Sequence, residues 1–222
     1  MDKPVMSAEE IASQLRKPDG EDGIRVGAAM NKSNAVLYNM MLSFLGIKAG
    51  DRLLEIGFGN GYFIPALFEK ENAIQYTGLD MSETMVAEAA RVNENRISEG
   101  SVKLHLGRTE EMPFSEGAFT KVFAANVLYF WDEPAVALKA IHRVLDTGGE
   151  LVLAIRSRET MQPMPFSAHG FTLYSAEEAR SLLEANGFRV SEVQTALEDA
   201  RPSADGSMTV QFENICLRGI KI

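Results

Sequence analysis

The sequence predicts an α/β fold in which helices cover both faces of a mostly parallel sheet. From residue 51 onward, short apolar runs alternate with amphipathic segments of roughly a dozen residues, which is typical of repeated strand–helix–strand units. Two of these runs, 122–125 and 151–155, are apolar without alternation. Such runs are expected of strands that lie between two layers of helices.

Five runs are predicted to be strands of this sheet: 52–56, 75–79, 102–106, 121–125 and 150–155. In the third run, polar Lys103 and His105 alternate with apolar residues. One face of that strand is therefore expected to meet water, which suits the edge of a sheet. A weak strand near Val190 and a final strand over 208–217 are joined by a short polar loop, which predicts an antiparallel pair.

Local start and stop signals predict helices around these strands. Ser82 and Asp132 are predicted N-caps, and Pro134 suits the first turn of a helix. Ser7 and Glu10 form a capping-box pattern near the N-terminus. The other predicted segments are a helix over 29–45, a helix that starts near Ser175 and ends at Gly187, a polar loop over 16–23 and a turn over 146–149.

Length and composition predict a single globular domain over 1–222. The chain has 222 residues, of which 45% are hydrophobic and 24% are charged, as in ordinary globular proteins. We predict that 1–45 form an N-terminal helical cover or lid and that 46–222 form the core. For the segment around Met30, Asn31 and Asn34, a lid over a cleft at the sheet edge and a plain docking helix both remain open.

The charge balance and the single cysteine limit the partners and the compartment. Lys and Arg number 22 and Asp and Glu number 31, so the net charge of −9 repels nucleic acid and anionic membranes. Cys216 has no second cysteine to pair with, so a reducing, cytoplasmic location is the simpler expectation. No membrane span is predicted, because the longest uncharged stretch, 33–47, is too short, and no apolar signal-peptide core is present at the N-terminus.

The first strand runs into the segment Glu55-Ile56-Gly57-Phe58-Gly59-Asn60-Gly61, whose three glycines allow a sharp turn and the close approach of a ligand. A dinucleotide-binding loop would have a further glycine in place of Tyr62, which disfavours a nicotinamide-dependent oxidoreductase. Asp80 follows Gly61 by nineteen residues, at the tip of the second strand. A carboxylate there can accept hydrogen bonds from both hydroxyls of a ribose, and a helix cap is its alternative role.

Five segments carry motifs: LLEIGFGNG (53–61), GLDMS (78–82), LGRTEEMPF (106–114), AANVLYFWDEP (124–134) and HRVLDTGGELVLA (142–154). With them the chain resembles the class I S-adenosylmethionine-dependent methyltransferases, in the branch of ubiquinone/menaquinone-type C-methyltransferases and many small-molecule enzymes. The similarity is dense over 51–155 and continues loosely to Phe188. It implies a three-layer αβα sandwich with a Rossmann-like, mostly parallel seven-stranded sheet of order 3-2-1-4-5-7-6, the last strand being antiparallel.

The resemblance implies S-adenosylmethionine as cofactor and S-adenosylhomocysteine as product. Asp80 would bind the ribose, Met81 one face of the adenine, and Glu55 with the glycine backbone the methionine moiety. Arg108 stands where the family usually has an acid that accepts a hydrogen bond from the adenine amino group. The acceptor would then be Glu110 or the Thr109 hydroxyl, or the recognition of adenine would be looser. The alternative role of Arg108 is a solvated charge. The implied cofactor set is Glu55, Gly57, Phe58, Gly59, Gly61, Asp80, Met81, Arg108, Thr109, Glu110 and Asn126.

Substrate residues are expected on loops that follow the carboxyl ends of the strands, because ligands of parallel sheets bind there. The predicted substrate set is Met30, Asn31, Tyr129, Trp131 and His169. His169 lies in a stretch rich in Met and aromatic residues, 161–174, and is the candidate catalytic base. Ordinary packing is the alternative role for the aromatic residues, and a solvated side chain is the alternative for His169.

The three histidines, His105, His142 and His169, lack the spacing of metal ligands, so no metal site is predicted. The resemblance implies a methyltransferase, and we expect it to act on a small, partly apolar molecule at oxygen, nitrogen or carbon. A methyltransferase of protein or RNA and a non-catalytic cofactor-binding module remain as alternatives.

Overall fold

The computed structural model describes residues 6–203, 206 and 208–222. Its main sheet has seven strands: β1 (Arg52–Ile56), β2 (Gln75–Asp80), β3 (Val102–Leu106), β4 (Phe119–Ala125), β5 (Leu145–Arg156), β6 (Phe188–Leu197) and β9 (Glu213–Lys221). Two short strands, β7 (Arg201–Pro202) and β8 (Thr209–Val210), pair with each other outside it. Residues 1–5 of the predicted N-terminal cover, and three residues of the predicted loop before β9, lie outside the described residues.

The strand order is β3-β2-β1-β4-β5-β9-β6. The strands from β3 to β5 are parallel, whereas β9 runs antiparallel between β5 and β6. This confirms the predicted order and the antiparallel last strand. It also confirms that the third strand lies at an edge, as its alternating polar residues predicted.

Helices cover both faces of the sheet. They are α1 (Ala8–Arg16), α2 (Gly20–Ser33), α3 (Ala35–Leu45), α4 (Ile64–Lys70), α5 (Glu83–Val92), α6 (Glu94–Ser98), α7 (Pro134–Val144), α8 (Arg158–Met161) and α9 (Ala176–Glu184). On one face, Leu54 and Val122 pack in a core with residues of α7 and α9. On the other, Leu53 and Phe123 pack in a second core with residues of α3 and α4. Successive strand residues point to opposite faces, which gives the three layers.

The prediction of one helix over 29–45 was wrong, because α2 ends at Ser33 and α3 begins at Ala35. Helix α2 also starts at Gly20, inside the predicted polar loop. Packing against α5 stabilises α2 as a separate helix, since Gly27 lets the two helices approach closely. A Cβ added to Gly27 would lie 3.2 Å from Sδ of Met85.

Two other boundary predictions need correction. Asp132 is not the N-cap of α7, which is Glu133, because the Asp132 carboxylate accepts hydrogen bonds from Arg16 at 2.6 and 2.7 Å. The final strand runs over Glu213–Lys221 and not over 208–217, because Phe212 leaves the sheet to pack in a separate apolar cluster. The predicted cap at Ser82 is confirmed, since its hydroxyl accepts a hydrogen bond from the Met85 N–H.

Candidate functional site

The glycine turn after β1 is closely packed at its two ends and open in its middle. Gly57, Gly59 and Gly61 all have left-handed backbones, with φ of +71°, +59° and +70°. A Cβ on Gly57 would clash with Val127, and one on Gly61 would lie 2.7 Å from Ala89. A Cβ on Gly59 would meet nothing within 4 Å. The space over Gly59 is therefore where a ligand can approach the backbone.

Asp80, the last residue of β2, lies beside this open space. Its Oδ2 accepts a hydrogen bond from the Gly59 N–H, and its Oδ1 accepts one from the Ser82 N–H, both at 2.9 Å. Burial raises the pKa of Asp80 to about 6, although the backbone N–H groups of Ser82, Gly59 and Met81 lower it. Each carboxylate oxygen has a second lone pair, so Asp80 can still accept hydrogen bonds from the hydroxyls of a ribose.

Glu55 is buried beneath the turn and is held by two tyrosines. Its Oε1 accepts a hydrogen bond from the Tyr38 hydroxyl at 2.9 Å, and its Oε2 accepts one from the Tyr76 hydroxyl at 2.7 Å. Desolvation raises the pKa of Glu55 to about 7, although both hydrogen bonds lower it. The carboxylate thus links β1, β2 and α3, and its contact with a methionine moiety stays a prediction.

The raised pKa of Glu55 predicts a loss of stability with rising pH. The folded protein binds a proton at Glu55 more tightly than the unfolded chain does, so the stabilisation is complete below the unfolded pKa of 4.5 and is lost as pH rises through about 7. Between pH 5 and pH 8 we expect Glu55 to lower the free energy of unfolding by roughly 2 to 3 kcal/mol. Urea denaturation at pH 5 and at pH 8 measures this difference in the free energy of unfolding.

Glu55→Gln keeps the shape of the side chain and should remove that pH-dependent difference. Glu94→Gln on the exposed face of α6 is the matched control and should follow the parent protein. A Glu55→Gln variant with the same pH slope as the parent would contradict the assignment of the proton to Glu55.

Asn126 closes β4 in a strained backbone conformation. Its φ is +57°, and no other non-glycine residue has a positive φ in the part of the chain that the structure describes. Its Nδ2 donates to Oδ1 of Asn34 at 3.2 Å, and its Oδ1 lies 3.1 Å from the Tyr129 hydroxyl. Strain of this kind persists where the surroundings fix the residue, and it is common at functional sites. Asn126 connects the junction of α2 and α3 to the sheet edge.

The residues predicted to lie near adenine differ in their exposure to solvent. Met81 is half-buried and Thr109 is buried. Arg108 is exposed and forms ion pairs with Asp132 at 3.4 Å and Glu110 at 3.5 Å. The structure therefore places Arg108 as a paired surface charge, and the acceptor for the adenine amino group stays a prediction.

The predicted substrate residues fall into two groups. Tyr129 and Trp131 are buried in the core with residues of α7, and their contact with a substrate stays a prediction. His169 is exposed, directly after a 3₁₀ turn over Pro165–Ala168. The loop that carries His169 lies on the loop after β4, because Phe171 contacts the ring of Phe130 with centroids 4.6 Å apart.

The N-terminal helices dock beside the glycine turn. The Ser82 hydroxyl donates to the carbonyl of Pro18, and Gly20 N–H donates to Oγ1 of Thr84 at 3.1 Å. Met30 and Asn31 are half-buried near the end of α2. A cleft of about 260 Å³ is lined by residues of α2, the glycine turn and α5, among them Asn31, Asn60, Tyr62 and Arg91. The cover is thus in contact with the site, and its opening as a lid stays a prediction.

Within 6–203, 206 and 208–222, none of the helices combines the length with the apolar character that a membrane span requires. Over the same residues, no group of three or more His, Cys, Asp or Glu side chains is arranged to hold a metal ion.

Sequence reasoning missed the charged group at the end of β5, in which buried Arg156 and Glu198 lie beside the partly exposed Arg201. An arginine directly after the apolar run 151–155 was the available signal.

Comparison with known proteins identifies the family. A family model described as a methyltransferase domain matches residues 54–153. YdaC, an uncharacterized methyltransferase of Bacillus subtilis (strain 168), is 32% identical over 133 residues, which are 60% of this chain and 71% of YdaC. The O-methyltransferase resE of Aspergillus sclerotiorum is 27% identical over 165 residues, which are 71% of this chain and 62% of resE.

Solved structures share the fold. A chain from the complex of the Haloferax volcanii Trm112 methyltransferase activator with a methyltransferase has a TM-score of 0.78 at 21% identity, over 96% of this chain and 98% of that one. Geranyl diphosphate methyltransferase in complex with S-adenosylmethionine has a TM-score of 0.70 at 15% identity, over 95% and 94%.

The protein belongs to the class I S-adenosylmethionine-dependent methyltransferases. Its cofactor is S-adenosylmethionine, and the open space over Gly59 beside the Asp80 carboxylate fits that group. Membership of the ubiquinone/menaquinone-type branch stays a prediction.

Proposed function

We propose that the protein transfers a methyl group to oxygen, nitrogen or carbon of a small, partly apolar molecule. The observation that carries this proposal is an apolar cluster at the same end of the sheet as the glycine turn, where the parallel strands have their carboxyl ends. It stands where the chain leaves β5 and enters β9, and we call it the Met/Phe cluster. Its buried members are Met161, Met164, Val210 and Phe212, and its half-buried members are Phe166, Phe171, Leu173 and Met208.

The positions of these groups suggest which of them bind the cofactor and which surround the acceptor. S-adenosylmethionine supplies an already activated methyl group, so the protein has to hold, orient and dehydrate the reactants. Asp80 and the Gly59 backbone hold the cofactor on one side. The Met/Phe cluster shields the acceptor from water on the other side, and Asn126 lies between them at the end of β4.

His169 is the proposed base that removes a proton from the acceptor. It follows β5 on the ligand-binding edge, and Phe166 and Phe171 flank it. The exposed position of His169 leaves its ring accessible to a bound acceptor.

The names of similar proteins support a small substrate. One relative is named an O-methyltransferase, and one structural neighbour is named a geranyl diphosphate methyltransferase. The net charge of −9 argues against RNA as the substrate. The neighbour bound to Trm112 shares the fold, and we propose no such partner for this chain.

Calorimetry followed by a methyl-transfer assay tests the proposal. S-adenosylhomocysteine and S-adenosylmethionine should bind, and NAD should not. Transfer of a radioactive methyl group to members of a small-molecule panel, and none to bulk RNA or protein, would support it. Methylation of RNA or protein alone, or cofactor binding without transfer to any acceptor, would contradict it.

Asp80→Asn should weaken S-adenosylhomocysteine binding by about ten-fold or more. The variant keeps the size of the side chain but removes the negative charge, and hydrogen bonds to charged groups contribute about 1.5 to 3 kcal/mol. Titration calorimetry measures the change. Asp51→Asn is the matched control, since Asp51 is also buried and hydrogen-bonded but lies at the opposite end of β1. Equal affinity in the Asp80 variant and the parent would leave Asp80 with only a structural role.

A further inference from the structure

The last residue of β5 carries a buried cation that the transfer step does not use. Arg156 has a side chain that is only 7% exposed. Its Nη2 donates to the carbonyl of Ser33 at 2.6 Å, and its guanidinium lies 3.9 Å from the ring centroid of Phe212. Its Nε is buried and has no hydrogen-bond partner in the described part of the chain. A buried donor without an acceptor is costly, so this group calls for a ligand or a function.

Two more charges complete the Arg156 cluster, which we define as Arg156, Glu198, Arg201 and Asn214. Glu198, 3% exposed, lies 3.6 Å from Arg156 and 3.8 Å from Arg201. Asn214 donates to Oε1 of Glu198 at 3.0 Å, and its own Oδ1 lacks a partner among the described residues. Two guanidinium groups face one carboxylate, so the cluster has a net positive charge in a protein whose net charge is −9.

The Arg156 cluster lies on the edge that binds the cofactor. Strand β4 separates β1 from β5, and neighbouring strands are about 4.8 Å apart, so the end of β5 lies roughly 10 Å along the edge from the glycine turn. The Tyr129 hydroxyl joins the two regions, since it lies 3.1 Å from Oδ1 of Asn126 and 3.1 Å from the carbonyl oxygen of Arg156. A small molecule is therefore long enough to reach from the cofactor region to the Arg156 cluster.

The Met/Phe cluster and the Arg156 cluster share Phe212. Both guanidinium groups lie over its ring, at 3.9 Å for Arg156 and 5.8 Å for Arg201. Arg201 has a side chain that is 42% exposed, so it gives access from solvent. The result is an apolar surface with a cationic end, which suits a molecule with an apolar body and an anionic end.

We propose that Arg156 and Arg201 bind a carboxylate of the substrate, so that the methyl acceptor is a small apolar acid. This rests on the proposed function, and it names the substrate class. The planar guanidinium groups match the geometry of a carboxylate, and the added negative charge neutralises the cluster. Glu198 lies 3.6 Å from Arg156 and 3.8 Å from Arg201 and holds the two arginines near each other.

Matched acids and alcohols test the proposal by calorimetry, with and without S-adenosylhomocysteine. The probes are octanoate against octan-1-ol and 3-phenylpropanoate against 3-phenylpropan-1-ol. At least one acid should bind about ten-fold or more tightly than its alcohol, because the alcohol lacks the charge-assisted hydrogen bonds. Octyl phosphate is added as a second anion.

Arg201→Met should remove most of this preference for acids. Arg156→Met alone would leave Glu198 buried without a partner, so the double variant Arg156→Met/Glu198→Gln removes both charges together. Arg189→Met is the matched control, because this exposed arginine lies at the opposite end of β6. The control should bind acids as the parent does.

The outcomes separate this inference from the proposed function. Binding of S-adenosylhomocysteine with no preference for either acid would overturn the carboxylate site alone. A preference that survives in both Arg201→Met and the double variant would also overturn it, as would tighter binding of octyl phosphate than of octanoate. Loss of the preference in Arg201→Met, with S-adenosylhomocysteine binding intact, would support it even if the double variant fails to fold.

Discussion

Replacing Gly59 with valine is expected to abolish binding of S-adenosylhomocysteine while the fold is kept. A β-branched residue is strained at a φ of +59°, and its methyl groups would fill the open space over the turn. A Cβ at this position meets nothing within 4 Å, so the protein itself tolerates the added atoms. Calorimetry should show a loss of more than about a hundred-fold in affinity.

The variant Gly100→Val is the control that distinguishes the effect of backbone strain from steric blocking of the ligand. Gly100 also has a left-handed backbone, with a φ of +77°, and a Cβ there also meets nothing within 4 Å. It precedes β3 and so lies near the amino ends of the parallel strands, whereas the glycine turn lies at their carboxyl ends. The control variant should lose similar stability and keep normal affinity. Normal affinity in a folded Gly59→Val variant would show that the ligand lies elsewhere.

Replacing His169 with alanine is expected to lower kcat by about a hundred-fold or more, with the affinity for S-adenosylmethionine unchanged. The reason is that His169 follows β5 next to the Met/Phe cluster, whereas the cofactor groups follow β1 and β2. Steady-state kinetics with a methyl acceptor measure kcat, and calorimetry measures cofactor affinity.

His142→Ala is the matched control, because His142 lies on α7 and its Nε2 contacts the carbonyl oxygen of Ile222, away from the ligand-binding edge. It should leave kcat unchanged. Equal turnover in His169→Ala and the parent would end the hypothesis of a base at this position. A parallel loss of cofactor affinity would mean that the His169 loop serves the cofactor.

Local patterns were sufficient to predict the sheet and the glycine turn. Strand periodicity depends on nearest neighbours along the chain, and the backbone demands of Gly57, Gly59 and Gly61 are local as well. Membership of the methyltransferase family was predicted from the five motif segments, and the strand order was what that resemblance implied. The close approach of α2 to α5 was not, because it depends on a contact between Gly27 and Met85, which are far apart in the sequence.

The substrate side of the site was the least predictable part. An aromatic residue after a strand suits a pocket wall and a core equally well, and the structure buries Tyr129 and Trp131 in the core. The pairing of Arg156 with Glu198 joins residues from distant segments, so the position of Arg156 after an apolar run does not by itself identify its partner.

The insertion of β9 between β5 and β6 has a consequence for the order of folding. As the chain is synthesised, β6 emerges before the only strand of the main sheet with which it pairs among the described residues. The apolar side chain of Phe188 therefore stays without its final cover until Glu213–Lys221 has joined β5. During synthesis the five parallel strands therefore emerge first, and the sheet is completed only when β9 has joined β5 on one side and β6 on the other.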